Sequence, residues 1–126
     1  MDNDKDKFKN EFKVRLYNWV LRLLKLINSL YSCLVNQVTG KQLLRSGTSI
    51  LANYVEGKSA SSRKDYANYF CYSLKSANES KVWLALLRDG GTCKNQPKNV
   101  KYLLTELDEI SRILAASILT LKNSDK

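Results

Sequence analysis

Apolar residues recur every three or four positions through most of the chain, the spacing of an α-helix with one buried side. In the first long segment, Phe8 and Phe12 lead into Leu16, Trp19, Val20, Leu23, Ile27, Leu30 and Leu34. This predicts a first helix over about 6–34, roughly 43 Å long at 1.5 Å per residue. Residues 1–7 read as frayed. A second stripe lies on the far side of the same helix: Tyr17, Leu21, Leu24, Asn28 and Tyr31. Its steps of four and three are a heptad pattern. An isolated bundle needs one buried stripe per helix, so two stripes predict a helix covered on both sides in an oligomer. Tyr17, Leu21, Leu24 and Tyr31 are the expected subunit contacts.

Residues 35–40 read as the first loop. Thr39 is the expected N-cap of a second helix over about 40–57, because Gln42 stands three residues on in capping-box position. Gly57 reads as its C-terminal stop. Ser62 opens a third helix over about 62–89, with Asp65 as its capping partner. Tyr66, Phe70, Ser73, Ala77, Leu84 and Leu87 form its inner row. Tyr72, Ser76, Glu79, Trp83 and Leu86 form a second row, which adds Trp83 to the expected oligomer contacts. Gly90 and Gly91 end the third helix, and Pro97 suits the first turn of a fourth. Val100, Leu103, Leu107, Ile110, Leu114, Ile118 and Leu121 give that helix, about 97–122, a nearly strict seam. Residues 122–126 read as a loose polar tail. Short connections make consecutive helices antiparallel. The expectation is one all-α domain, an up-down-up-down four-helix bundle.

The second helix has an unusual middle of Ser46, Gly47, Thr48, Ser49 and Ala52. A Gly inside a helix costs about 1 kcal/mol against Ala, and close approach of a neighbouring helix offsets that cost. Gln42, Arg45, Ser49, Asn53 and Glu56 line one face, while Leu43, Gly47, Ile50 and Tyr54 line the other. The polar row is expected to meet Ser76 and Glu79 of the third helix. Arg45, Ser49, Asn53, Glu56, Ser76 and Glu79 thus form a candidate structural network. A buried Glu79 would need a cation or several donors, with Arg45 and Asn53 the candidates.

Composition narrows the chemistry. Hydrophobic residues make up 44% of the chain, with a single Pro. There is no His, and the three cysteines, Cys33, Cys71 and Cys93, are widely spaced. No metal site or cofactor is expected, and His-based catalysis is excluded. Glu56 and Glu79 are the only plausible catalytic carboxylate pair in the middle of the chain, with no phosphate-binding loop or nucleophile motif beside them. The chain is not expected to be an enzyme. No apolar run reaches the length of a membrane span, and the charged N-terminus has no apolar core of a signal peptide. No membrane partner is expected, and a cytoplasmic location is.

Charge changes the picture further. The formal net charge is +9. Between Lys13 and Val55 there is no Asp or Glu, whereas Lys13, Arg15, Arg22, Lys25, Lys41 and Arg45 all fall there. Such a field most often meets nucleic acid. Lys13, Arg15, Arg22, Lys25, Lys41, Arg63 and Lys64 are the candidate phosphate contacts. No helix-turn-helix, zinc finger or RNA-recognition signature is present, so contact would be backbone-dominated and salt-dependent.

The run from Gln42 through Arg45, Ser49, Ile50, Asn53 and Glu56 to Gly57 resembles the signature of the four-helix-bundle proteins encoded in 23S ribosomal RNA intervening sequences. Ser62-Arg63-Lys64-Asp65-Tyr66 and the Ser76 and Glu79 pair resemble the family's next two motifs. The likeness covers residues 12 to 122. The chain departs from the family pattern at Gly47 and Lys75. The resemblance implies an antiparallel four-helix bundle assembled as a homopentameric ring, with no established enzymatic activity. The fold is also similar to that of the accessory variability determinants of diversity-generating retroelements. That likeness implies nucleic acid and a reverse transcriptase as partners. A purely structural or protein-interaction oligomer is the alternative.

Overall fold

The computed structural model describes residues 3–93 and 95–123, without the side chains of residues 3, 5, 6, 8 and 9. The expected place of Phe8 in the first stripe, and the loose ends at 1–2 and 124–126, lie outside the described residues. Four helices follow one another: α1 Asn3–Ser29, α2 Leu34–Lys58, α3 Arg63–Asp89 and α4 Pro97–Asn123. There is no strand among the described residues. Each helix packs on the next, and α1 also packs on α4, which closes the four into a bundle. No helix among the described residues is long and apolar enough to cross a membrane.

Most positions of the stripes read from spacing are buried, and Leu26, outside the stripe read for the first helix, is buried with them. Phe12, Leu16, Trp19 and Leu23 of α1 meet Leu43, Ile50 and Tyr54 of α2. Phe70, Ala77, Leu84 and Leu87 of α3 join them, with Val100, Leu103, Leu107, Ile110 and Leu114 of α4. Tyr54 sits at the aromatic end of this core, edge-on to Phe12 at 5.0 Å and stacked on Phe70 at 5.1 Å. Burial pushes the Tyr54 and Tyr66 phenols above their ordinary range. Trp19 is buried, and its indole N–H donates to the Leu103 carbonyl at 3.0 Å. That bond satisfies the polar atom that a buried Trp brings with it.

The first loop is not where the apolar pattern puts it. α1 stops at Ser29 and α2 already starts at Leu34, so residues 35–40 are helical. Nothing in Val35–Thr39 breaks a helix. The N-cap is Cys33, not Thr39: the Cys33 thiol accepts from the Asn36 N–H at 3.4 Å. Asn36 is buried, and its side-chain amide donates to the Tyr31 carbonyl at 3.0 Å, which ties the turn down. Leu34, expected in the buried stripe of the first helix, instead opens α2 and is 76% exposed. Residues 3–7, expected to fray, belong to α1.

Gly57 is likewise inside α2, which runs to Lys58 with Ser59 as its C-cap. A β-carbon at Gly57 would stand 3.0 Å from Tyr69 Cβ and 3.1 Å from the Phe70 ring. Gly57 is therefore small because α3 crosses close to it, not because the helix must end. The remaining punctuation follows the reading from sequence. Ser62 caps α3 by accepting from the Asp65 N–H at 3.1 Å. Pro97 opens α4, and Gly91, with φ 77°, makes the left-handed turn after α3.

Candidate nucleic-acid interface

The antiparallel order brings the α1–α2 and α3–α4 turns to one end of the bundle. The Gln96 side-chain amide there donates to the Ser29 hydroxyl. Arg22 and Lys25 come from the last turns of α1, Lys41 from α2, and Lys98 and Lys101 from the start of α4. Arg22 lies over the Tyr102 ring, 3.8 Å from its centroid, and donates to the Asn99 side chain at 3.2 Å. Both contacts hold its charge outward without neutralising it. Arg22, Lys25, Lys41, Lys98 and Lys101 make no ion pair among the described residues. Asp89, the carboxylate at this end, is taken by Arg88 at 2.8 Å, and that contact lowers its pKa. The result is a cation-rich end of the bundle.

The seven cations proposed from sequence divide in the fold. Arg22, Lys25 and Lys41 gather at this end. Arg63 and Lys64 stand in the first turn of α3, at the opposite end. Lys13 is exposed on α1 in that half of the bundle. Arg15 is spent within the fold: it holds Glu106 at 2.7 and 2.8 Å and also pairs with Glu109. Its hydrogen bonds hold the Glu106 carboxyl below the usual carboxylate range. Lys98 and Lys101 were missed because α4 reads as a core helix on its own. The antiparallel topology, which lays the start of α4 beside the end of α1, was the signal that could have found them.

The polar residues between α2 and α3 are also divided. Arg45 pairs with Glu79, and the Trp83 indole N–H donates to Glu79 at 2.9 Å. Those two donors, Trp83 foremost, keep the Glu79 carboxyl below its ordinary range. Gln42 accepts from Arg45 at 2.9 Å. This group is on the surface, with Arg45 more than half exposed. The hydroxyl of Ser49 instead donates to the Arg45 backbone carbonyl of its own helix at 2.7 Å, and the Asn53 amide donates to the Ser49 carbonyl at 2.9 Å. Glu56 is exposed. It lies eleven residues beyond Arg45, the partner of Glu79, or about 16 Å along the helix.

The buried polar contacts are made by other residues. The Ser46 and Ser80 hydroxyls meet at 2.8 Å with both residues fully buried. Ser73 donates across to the Ile50 carbonyl at 2.7 Å, and Ser80 donates to the Ser76 carbonyl at 2.8 Å. The spacing of Ser73, Ala77 and Ser80, small residues at four and three, carried this signal. It marks where α2 and α3 come close enough for hydroxyls to bridge them.

Two outer faces remain apolar. Gly40 against Ile27, Gly47 against Leu23 and Phe12 against Tyr54 set the level of α1 on α2. At that register, Val14, Tyr17, Leu21 and Leu24 run alongside Leu44, Leu51 and Val55 on the outside of the α1–α2 pair. Tyr17 is 54% exposed. On the neighbouring side, Val38 of α2 and Tyr72 and Leu86 of α3 are exposed, and the half-buried Trp83 holds Glu79. Tyr31, expected at the end of the second stripe of the first helix, lies exposed in the loop between α1 and α2.

The model of the 23S rRNA-intervening sequence protein family matches residues 11–116. The chain belongs to that family. The matched range reaches into all four helices. A crystal structure of a protein of unknown function from the S23 ribosomal protein family of Bacteroides thetaiotaomicron VPI-5482 is similar, with 32% identity and a TM-score of 0.70. The likeness covers 85% of this chain and 97% of that one. No curated protein matches the chain.

Proposed function

We propose that this member of the 23S rRNA-intervening sequence protein family is a non-catalytic, self-associating protein that binds nucleic acid along the backbone. The observation that carries the reading is the cation-rich end, where Arg22, Lys25, Lys41, Lys98 and Lys101 make no ion pair among the described residues. Phosphates would replace their counterions there, so binding should weaken steeply with salt. The test is fluorescence anisotropy with a labelled RNA duplex and a labelled DNA duplex between 50 and about 200 mM salt. Binding that falls log-linearly with salt, and that is lost when Lys25, Lys98 and Lys101 are changed together to Gln, supports the reading. No binding at the lowest salt sinks it. The resemblance to retroelement accessory proteins brings a reverse transcriptase into the reading as the protein partner, which co-purification would test.

Self-association is supported by the two apolar outer faces. They lie on adjacent sides of the bundle, so a contact that joins one to the other turns each copy relative to the last. Head-to-tail contacts of that kind close into a ring when the rotation per copy divides a full turn. The homopentamer implied by the resemblance is the closed form we adopt. Light scattering should then give five times the 14.4 kDa chain mass, and a monomer mass would refute it. A purely structural or protein-interaction oligomer is the second reading, favoured by the same exposed apolar faces. It predicts the ring without salt-dependent nucleic-acid binding.

A further inference from the structure

A cleft of about 500 Å³ lies between the end of α3 and the first three turns of α4. Its floor is apolar: Val100 and Cys93 are buried, and Leu104 is half-buried. Burial pushes the Cys93 thiol up, in keeping with a dry floor. Its rim is polar and exposed, formed by Arg88, Lys101, Thr105 and Asp108.

The rim groups keep hydrogen-bonding capacity. Arg88 spends its Nε and Nη2 on Asp89, which leaves Nη1. Asp108 gives Oδ1 to Lys81 at 3.2 Å, which leaves Oδ2. Thr105 adds a hydroxyl that donates or accepts. Lys101 is an ammonium with no ion pair among the described residues, and it belongs to the cation-rich end as well. The arrangement thus combines an apolar floor for the face of a ring, mixed donors and acceptors for its edge, and a cation for an attached anion. The volume falls within the roughly 300–1,000 Å³ of small-molecule sites.

We propose that this cleft binds one unpaired nucleotide, with its base on the floor of Val100 and Leu104 and its phosphate on Lys101. The site rests on the nucleic-acid reading for its biological source, since it opens beside the cations that would track the strand. A strand crossing that end would turn a loop base out of the stack, at a cost smallest where the base is already unpaired. A lipid-like acid would use the floor and Lys101 but leave the donors and acceptors of Thr105 and Asp108 unmatched.

The test uses the full chain, with ¹H–¹⁵N spectra recorded during titration with adenosine 5′-monophosphate, with adenosine, and with octanoate. Saturable shifts at Cys93, Val100 and Leu104 are expected for the monophosphate, with adenosine at least fivefold weaker and octanoate weaker still. Thr105→Trp places a ring in the mouth from an exposed helix position, so the fold should persist by circular dichroism while the shifts vanish. Lys101→Ala should weaken the monophosphate and leave adenosine unchanged. Absence of saturable shifts at millimolar monophosphate overturns the site, as does octanoate binding tighter than the monophosphate. Salt-dependent duplex binding without monophosphate binding removes the cleft and leaves the nucleic-acid reading standing. Monophosphate binding without duplex binding does the reverse.

Discussion

Gly47 of α2 lies directly against Leu23 of α1. A β-carbon at Gly47 would collide with Leu23 Cδ2 and stand 3.4 Å from the Trp19 ring. Leu23 is fully buried and Trp19 nearly so, so neither has free space to retreat into. The helix accepts a poor helix former because α1 needs that space.

Gly47→Ala should therefore destabilise the protein. Overpacking a core costs about 1–3 kcal/mol, and the gain in helix propensity returns only about 1 kcal/mol. Urea unfolding followed by circular dichroism should show a lower midpoint with an unchanged slope. A rise in the midpoint would mean that α1 shifts freely and that the contact does not restrict the fold.

Ser46 and Ser80 should behave as a coupled pair. Removing either hydroxyl leaves its buried partner short of one bond, at a cost of about 1 kcal/mol or more. The Ser46→Ala, Ser80→Ala double variant should lose less than the sum of the two single changes. Strict additivity in that cycle would show that the hydroxyls do not depend on one another.

Glu106 should make the protein acid-sensitive in a definite direction. Arg15 holds its carboxyl below the unfolded value. The stabilisation is then complete above about pH 4.3, the unfolded glutamate value. It is lost as the pH falls through the lower folded value, because the unfolded chain takes up the proton first. Glu106→Gln should lower stability by about 1 kcal/mol at pH 7 and flatten the acid limb of the stability profile. Equal acid slopes in the two proteins would contradict the role of Arg15.

Glu79→Ala separates a structural from an assembly role for the Arg45–Glu79–Trp83 group. The pair is largely exposed, so the loss of chain stability should be under about 1 kcal/mol. If the face around it is covered by a second copy, light scattering should show a smaller particle. A folded variant with unchanged particle size would remove the group from the subunit contact.

Much of the bundle was legible because helix periodicity is local. The spacing of Val100, Leu103, Leu107 and Ile110 needs no knowledge of the partner helix to be recognised as a seam. Ser62 and Pro97 announce helix starts through their own backbone chemistry. The acid-free stretch from Lys13 to Val55 is a property of the chain alone. The sequence also carried the family, through the run from Gln42 to Gly57. Tertiary structure decided what each face meets. Gly57 proved to be a packing residue because α3 passes over it, and residues 35–40 became helix because Asn36 ties down an earlier turn. Arg15 left the basic surface because α4 offers Glu106 and Glu109 at its level, while Lys98 and Lys101 joined it. The Arg15 partners lie 91 and 94 positions away, a separation that no local pattern encodes.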